Sequence, residues 1–255
     1  MIKGGQRIAT ATGVMLADPN GLGNPLKSAA ESLFDPCYWS ARGELSSVSG
    51  GRGSAWFIGP APQPWVLRHY RRGGFIARIS LDRYWWLGED RVRAFAEWRL
   101  LEYLVQRGLR VPRPVAAGYR REGATYRCDL ITERIMGTQT LSAALTSSSL
   151  ASGSIEESTW RAIGSAVARL HGQGVNLNGQ GVDHADLNAH NILLDGDATV
   201  SVIDFDRARL RSPGAWAAKN LQRLRRSLMK ISAALPPGRF TDAAWAQVLA
   251  GYRAG

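Results

Sequence analysis

Short runs of alternating apolar and polar residues fill the first half of the chain. Alternation of this kind is typical of strands with one buried face. The runs predict four strands, at Trp56–Ile58, Trp65–Tyr70, Pro114–Tyr119 and Tyr126–Thr132. An aromatic-rich segment, Phe34–Trp39, precedes them, and we expect it to pack onto the sheet that they form.

Four other segments repeat their apolar residues at the spacing of one helix face. They predict helices at Asp90–Gly108, Ser158–Gly174, Trp216–Ile231 and Thr241–Tyr252. In the third helix, we expect one face to pack on the core through Leu221, Leu224, Leu228 and Ile231. We expect the rest of the helix surface to be basic, with Lys219, Arg223, Arg225, Arg226 and Lys230. The basic side is either ordinary solvated surface or a contact for an acidic membrane or an anionic substrate.

Two short apolar runs, Ile192–Leu194 and Thr199–Ile203, flank an Asp-Gly turn at Asp195–Gly196. An Asp-Gly turn between apolar runs predicts a β-hairpin. We interpret Asp195 and Asp197 as turn residues.

Polar side chains lie at both ends of this hairpin. Asp186 and Asn191 precede its first strand and Asp204 follows its second, so the three can converge on one point. An Asn five residues after an Asp, followed by Asp-Phe after the next strand, is the pattern of kinase catalytic and metal-binding loops. In that chemistry Asp186 would orient or deprotonate an attacking hydroxyl, while Asn191 and Asp204 would hold Mg²⁺ on the phosphates of ATP. We expect His184 to support the loop without moving protons.

Candidate nucleotide contacts lie in the first half of the chain. Gly51 and Gly53, before the first predicted strand, would let backbone N–H groups approach phosphates, although a plain flexible turn explains them equally well. Arg68 occupies the strand position where kinases carry a lysine, and Arg71 and Arg72 are alternatives. Glu97, in the first predicted helix, is either a solvated carboxylate or the partner of this strand cation.

Residues 133–137 are expected to connect an N-lobe, residues 1–135, to a C-lobe, residues 136–255. Backbone groups near Glu133 and Ile135 could meet an adenine edge there. His171, at the end of a predicted helix, is expected to be structural, because a charged imidazole is favourable at a helix C-terminus.

The amino-acid composition predicts that the protein has an anionic binding partner. The formal charge is +11 at pH 7, and no nucleic-acid reader motif accompanies it. No apolar run approaches the roughly 18–20 residues of a membrane span. The N-terminus does not resemble a secretory leader. Two cysteines give no disulfide framework and indicate a reducing compartment. We therefore expect a cytoplasmic protein that meets a membrane only at its surface.

The residues after Asp186 narrow the acceptor. Serine/threonine protein kinases place a lysine two residues after the catalytic Asp, where this chain has Asn188. The sequence also has no Ala-Pro-Glu ending of a peptide-docking segment. Both features favour a small molecule or glycan over a protein substrate.

From about Phe34 onward the chain resembles the Kdo kinases of Gram-negative lipopolysaccharide assembly. The resemblance rests on Phe34-Asp-Pro-Cys-Tyr-Trp39, Gly51-Arg-Gly-Ser-Ala-Trp-Phe57, Leu67-Arg-His-Tyr-Arg-Arg-Gly-Gly74, His184-Ala-Asp-Leu-Asn-Ala-His-Asn-Ile-Leu-Leu194, Ile203-Asp-Phe-Asp206 and Asn220-Leu-Gln-Arg-Leu-Arg-Arg-Ser-Leu228. Arg68 in place of Lys, and Asp206 in place of Gly, fit this family.

The resemblance implies an α+β bilobal protein-kinase-like fold, with a small antiparallel-sheet N-lobe containing one helix and a mainly helical C-lobe. It implies transfer of the ATP γ-phosphate to the 4-hydroxyl of a Kdo sugar on lipid A or its precursor. The acceptor would be Kdo-lipid A or a related anionic glycolipid at the cytoplasmic face of the inner membrane. Independently of the resemblance, we expect no nucleic-acid partner, because the basic residues show no reader motif.

Two other functions stay open. One is another small-molecule or core-heptose sugar kinase, because the catalytic residues do not report the rest of the acceptor. The other is a non-catalytic pseudokinase, which only the missing strand lysine favours. The sequence also leaves open the oligomeric state and the role of Asp206. It does not identify the residues that bind the sugar carboxylate, for which the candidates are Arg71, Arg72, Arg207 and Arg209.

Overall fold

The computed structural model describes residues 5–19, 21, 32–47, 55–71, 82–147 and 155–255. The chain divides into two compact units. The sheet unit comprises Met1–Tyr103 and Pro112–Met136, and the helical unit comprises Leu104–Val111 and Gly137–Gly255. The assignment of residues 1–135 and 136–255 to functional lobes stays a prediction.

An antiparallel sheet dominates the sheet unit. Its strands are β1 (Gln6–Ala9), β2 (Gly13–Ala17), β3 (Leu45–Ser47), β4 (Ala55–Ile58), β5 (Trp65–His69), β6 (Tyr84–Trp85), β7 (Pro114–Glu122) and β8 (Thr125–Glu133). Their order is β1-β2-β7-β8-β5-β4-β3, and β6 also pairs with β8. All four strands predicted from alternation are present, and the polar turn between β7 and β8 closes a hairpin.

Two helices accompany this sheet, α1 (Pro36–Ala41) and α2 (Arg93–Gln106). Asp35 caps α1, because its carboxylate accepts the Cys37 N–H at 2.9 Å. Phe34 and Trp39 join one buried cluster with sheet residues such as Met15 and Ile131, so the expected packing of the aromatic segment is confirmed.

The expected start of α2 at Asp90 is wrong. Residues Glu89–Arg91 form a 3₁₀ turn, and Val92 is extended, so the α-helix begins at Arg93. Asp90 accepts a hydrogen bond from Arg99 at 3.0 Å instead of capping the helix.

Four helices make up most of the helical unit, α3 (Leu141–Thr146), α4 (Glu157–Leu170), α5 (Trp216–Ser232) and α6 (Asp242–Ala254). Its short strands are β9 (Gln139–Thr140), β10 (Gly181–Asp183), β11 (Ile192–Leu194), β12 (Val200–Val202) and β13 (Arg209–Arg211). The β11–β12 hairpin confirms the predicted one, and β9 adds to its other edge. Within the described ranges, no helix has both the length and the apolar character needed to cross a membrane.

The buried face of α5 differs from the expected one. Leu224 and Leu228 are buried as expected, but Leu221 and Ile231 are only half-buried. Asn220 is 1% exposed and takes part in the buried face. A buried amide is tolerated there because both of its polar groups are hydrogen-bonded, as described below.

Candidate active site

The β11–β12 register brings two of the predicted metal ligands together. Ile192 pairs with Val202, and the Ile203 N–H continues the ladder by donating to the Asn191 carbonyl at 3.0 Å. Asn191 therefore lies opposite Ile203, and Asp204 follows one residue later at the same end of the hairpin.

The Asn191 side chain also fixes the segment that carries Asp186. Its Nδ2 donates to the Asp186 carbonyl at 2.8 Å, and Asn188 Nδ2 donates to the same oxygen at 3.1 Å. The Asp186 side chain is exposed, and no group in the described part of the chain forms a hydrogen bond or ion pair with its carboxylate. An exposed carboxylate on a backbone held at two points is suited to accept a proton from an incoming hydroxyl.

The buried His184 side chain connects the segment that carries Asp186 to the segment that precedes Asp204. It is fully buried; its Nε2 donates to the Ile203 carbonyl at 3.1 Å, and its Nδ1 accepts the Asp186 N–H at 3.3 Å. Its ring packs edge-on against Phe205, with centroids 5.0 Å apart. Burial lowers the pKa of His184, so it stays a neutral structural imidazole.

Helix α5 supplies an anchor that the sequence interpretation missed. Asn220 Oδ1 accepts the His184 N–H at 2.9 Å, and its Nδ2 donates to Asp183 Oδ1 at 3.0 Å. One helical turn after Asn220, Arg223 donates to the His184 carbonyl at 3.5 Å. Two turns after Asn220, Ser227 Oγ accepts the Ala189 N–H at 3.2 Å. The recurrence of polar residues at positions 220, 223 and 227 is helical spacing, and it was the available signal.

The residues at the hairpin end fit a magnesium ion. Because Asn191 Nδ2 is committed to the Asp186 carbonyl, its Oδ1 remains as the ligand atom. Asp204 follows β12 with a left-handed backbone (φ 63°), a conformation that Asp tolerates better than most residues. The described residues contain no cluster of three His, Cys, Asp or Glu side chains with metal-site geometry. A cation here would therefore depend on phosphate oxygens and water for its other ligands.

In the sheet unit, Arg68 on β5 forms an ion pair with Glu97 on α2. Glu97 is 5% exposed, so it is not the solvated carboxylate of the alternative interpretation. Tyr70, which directly follows β5, donates its hydroxyl proton to the same carboxylate. The strand period places Arg68 and Tyr70 on one face, and this spacing is the sequence signal for Tyr70.

The remaining predicted nucleotide contacts fall into three groups. Gly51, Gly53 and Arg72 lie outside the described residues. Arg71 is exposed, and Arg68 is the cation that meets Glu97. Glu133 ends β8 and its N–H donates to the Arg113 carbonyl at 2.8 Å, so that N–H is already committed within the sheet unit. Ile135 is half-buried just beyond the strand.

The expectation that His171 is structural stays a prediction, but the reason given for it needs a correction. It follows α4, as predicted, but it is buried beside Trp216 and Tyr252. Burial lowers its pKa to about 4, so the imidazole is neutral and does not interact with the helix dipole as a cation. Its Nδ1 lies 2.9 Å from the Tyr252 hydroxyl.

Comparison with known proteins bears on this site. The profile of the lipopolysaccharide kinase (Kdo/WaaP) family matches residues 37–252. The chain is 46% identical over 207 residues to the 3-deoxy-D-manno-octulosonic acid kinase of Stenotrophomonas maltophilia strain K279a, covering 81% of this chain and 78% of that protein. It is 44% identical, with the same coverage, to the protein of that name from Xylella fastidiosa strain 9a5c.

A solved structure described as WaaP in complex with acyl carrier protein is also similar. It superposes with a TM-score of 0.55 and 20% identity, covering 94% of this chain and 89% of that one. At this identity the likeness concerns the fold alone. It confirms the expected α+β protein-kinase-like fold, with an antiparallel sheet unit and a mainly helical unit.

Proposed function

The chain belongs to the lipopolysaccharide kinase (Kdo/WaaP) family, and from this premise we propose that it transfers the γ-phosphate of ATP to the 4-hydroxyl of a Kdo sugar. The acceptor is a Kdo sugar carried by lipid A or its precursor. The observation that carries the proposal is the Asp186 carboxylate, exposed on a loop that Asn191, His184 and Asn220 hold in place.

Asp186 acts on the acceptor. The sugar hydroxyl oxygen forms a bond to the γ-phosphorus, the bond from that phosphorus to the ADP oxygen breaks, and Asp186 takes the hydroxyl proton. The fixed backbone keeps the carboxylate in place, so little reorganisation is needed when the acceptor arrives.

Asn191 Oδ1 and the Asp204 carboxylate hold Mg²⁺, which neutralises phosphate charge when bound. In the sheet unit, Arg68 contacts ATP phosphates, and Glu97 keeps its guanidinium oriented. Backbone groups at Gly51 and Gly53 contact phosphates, and those near Glu133 and Ile135 contact adenine. Other backbone groups of this segment would serve this role, since the Glu133 N–H already donates to the Arg113 carbonyl.

The basic charge of the chain suits this acceptor. A Kdo-bearing lipid carries carboxylates and phosphates, and a protein of formal charge +11 is attracted to it and to an anionic bilayer. We place the reaction at the cytoplasmic face of the inner membrane, where the enzyme binds the surface reversibly.

The test is transfer of labelled phosphate from ATP to Kdo-lipid A in the presence of Mg²⁺. The wild type should label the lipid, and Asp186→Ala should abolish the label. Asp197→Ala is the matched control, because it removes an exposed acid from the turn of the same hairpin and should leave labelling unchanged. NMR of the product should place the phosphate on the 4-hydroxyl.

An acceptor panel separates this proposal from a core-heptose kinase. Kdo-lipid A should be labelled in preference to heptose-containing core glycolipids. Absence of label on every Kdo acceptor with the wild-type protein would refute the proposal.

A further inference from the structure

Helix α5 carries five basic residues and no acidic one. Four of the five recur at intervals of four, three and four residues: Lys219, Arg223, Arg226 and Lys230. At 3.6 residues per turn, this spacing places the four within an arc of about 60° around the helix, in a row about 16 Å long. We call these four residues the α5 ridge.

The α5 ridge faces solvent with its charge uncompensated. Arg223 is half-buried at the edge of the row, and the other three members are exposed. Across the residues that the structure describes, no carboxylate forms an ion pair with any of the four. The fifth cation, Arg225, lies off the ridge and does have such a partner, since it donates to the Asp242 carboxylate at 2.9 Å.

This arrangement of charge is unfavourable for the helix itself. Like charges three or four residues apart repel each other on a helix surface, and three such pairs follow one another along the ridge. Lys219 also lies in the first turn, where the helix dipole favours acidic residues. The buried face of α5 is formed by other residues, so packing does not require these cations. An anionic ligand would relieve the repulsion.

The ridge borders the catalytic loop. Arg223 belongs to the ridge and donates to the His184 carbonyl at 3.5 Å, while Ser227, one turn further along α5, accepts the Ala189 N–H at 3.2 Å. These two contacts lie on either side of Asp186 along the loop. The single long hydrogen bond to His184 uses only one of the N–H donors of the Arg223 guanidinium, so the others can bind an anion.

We propose that the α5 ridge binds the phosphate groups of the glycolipid acceptor while its sugar hydroxyl reacts at Asp186. This inference rests on the proposed function, since that acceptor is the molecule whose hydroxyl must reach Asp186. Lysine and arginine both bind phosphate, and a row of cations is complementary to a lipid that carries several anionic groups. The ridge holds the charged part of the acceptor beside the loop and so orients the sugar.

The position of the ridge favours the acceptor over a nucleic acid or an acidic protein. A ligand of the ridge lies next to the loop that the acceptor must approach, so a separate macromolecule bound there would compete with the acceptor. The anionic lipids of a bilayer offer the same phosphate chemistry. Dispersing the acceptor in a neutral detergent distinguishes the two sources, because no other anionic lipid is then present.

Equilibrium binding of the full chain to Kdo-lipid A in neutral detergent tests the inference. The wild type should bind. The triple variant Lys219→Gln, Arg226→Gln, Lys230→Gln should bind about tenfold more weakly, because three modest interactions between exposed charges are lost. Arg223 is left intact in this ridge variant, because its contact with His184 also supports the catalytic loop.

The matched control removes the same amount of charge from other helices of the helical unit. It replaces three exposed arginines of α4 and α6: Arg161→Gln, Arg169→Gln and Arg253→Gln. This control should bind Kdo-lipid A as the wild type does. The difference between the wild type and the ridge variant should largely disappear with Kdo-lipid A whose phosphates have been removed. Thermal melting confirms that all variants fold.

Four results would overturn the inference. The wild type does not bind Kdo-lipid A in neutral detergent, the ridge variant binds it as the wild type does, the control triple loses as much affinity, or the loss persists with the phosphate-free acceptor. A loss that is seen only on vesicles containing phosphatidylglycerol also counts against it, and would assign the ridge to bilayer lipids instead.

A kinase assay keeps this result distinct from the proposed function. In the ridge variant, the KM for Kdo-lipid A should rise while the KM for ATP stays unchanged. Ridge-dependent binding of Kdo-lipid A without any phosphate transfer would refute the proposed function and leave the binding surface standing. Phosphate transfer with the same acceptor KM in the wild type and the ridge variant would refute the ridge alone.

Discussion

The Tyr70 hydroxyl donates a hydrogen bond to the Glu97 carboxylate that also receives the Arg68 guanidinium. Tyr70 is 3% exposed, and burial raises its pKa well above its usual value, so the phenol stays protonated. The same hydroxyl accepts a hydrogen bond from Arg68 at 3.1 Å. One phenol therefore holds both members of the ion pair that we assign to the nucleotide.

Tyr70→Phe should raise the KM for ATP roughly tenfold and change kcat less, because it removes one hydrogen bond to a charged group without removing the guanidinium. Steady-state kinetics at varied ATP measure the split. Tyr38→Phe is the control, since that ring packs on Trp39 in the same unit. An unchanged KM in Tyr70→Phe would show that the phenol only fills space.

Asn220→Ala should lower kcat by one to two orders of magnitude while changing the KM for ATP little. It removes the acceptor of the His184 N–H and the donor to Asp183, so the catalytic loop loses its contact with α5. Stability should also fall by about 2 kcal/mol, because buried polar groups lose their partners.

Gln222→Ala, at an exposed position of the same helix, is the control for helix propensity. If both substitutions reduce kcat equally, the anchor does not position the loop. Denaturant unfolding run alongside separates loss of fold from loss of position.

Secondary-structure elements were predictable from the sequence where the apolar residues followed a single spacing, that of a strand or that of a helix. The β11–β12 hairpin and α5 follow from turn chemistry and apolar spacing, and the order of Asp186, Asn191 and Asp204 places them at the hairpin ends without further information. For Glu97 the sequence allowed two interpretations, a solvated carboxylate or a partner of Arg68. A carboxylate beside the apolar face of a helix has the same spacing in both cases, so the pattern does not choose between them.

Other features depend on tertiary contacts, whose partners the spacing along the sequence does not identify. Asn220 reads as a polar residue of an amphipathic helix until Asp183 and the His184 backbone are placed beside it. β13, Arg209–Arg211, reads as a basic loop and becomes a strand only by pairing with β10.

The free energy of unfolding should decrease as the pH falls from about 6.5 towards 4. His171 has an ordinary pKa of 6.5, and burial lowers it to about 4 in the folded chain. Below pH 6.5 the unfolded chain binds a proton that the folded chain does not, so stability is lost as the pH decreases through this window. A lowering of the pKa from 6.5 to about 4 corresponds to about 3 kcal/mol of stability.

Denaturant titrations at several pH values measure this slope. His171→Gln should flatten it in part, and some slope should remain because burial also lowers the pKa of His184. His190→Gln is the control at an exposed histidine. A wild-type slope in His171→Gln would contradict the assignment.

Gly164→Ala should destabilise the helical unit more than any exposed glycine substitution. Helices α4 and α6 meet through reciprocal glycines: a Cβ on Gly164 would lie 2.0 Å from the Val248 carbonyl oxygen, and one on Gly251 would lie 2.0 Å from that of Arg161. Both neighbours are backbone atoms, so neither contact can be relieved by rotating a side chain.

The expected loss is about 3 kcal/mol, which in a chain of this size lowers the Tm by roughly 6–12 °C. Gly196→Ala is the control, because a Cβ there meets nothing within 4 Å. Differential scanning fluorimetry compares the two. Equal melting temperatures would mean that α4 and α6 separate at little cost, and the packing of these helices would then contribute little to holding the helical unit together.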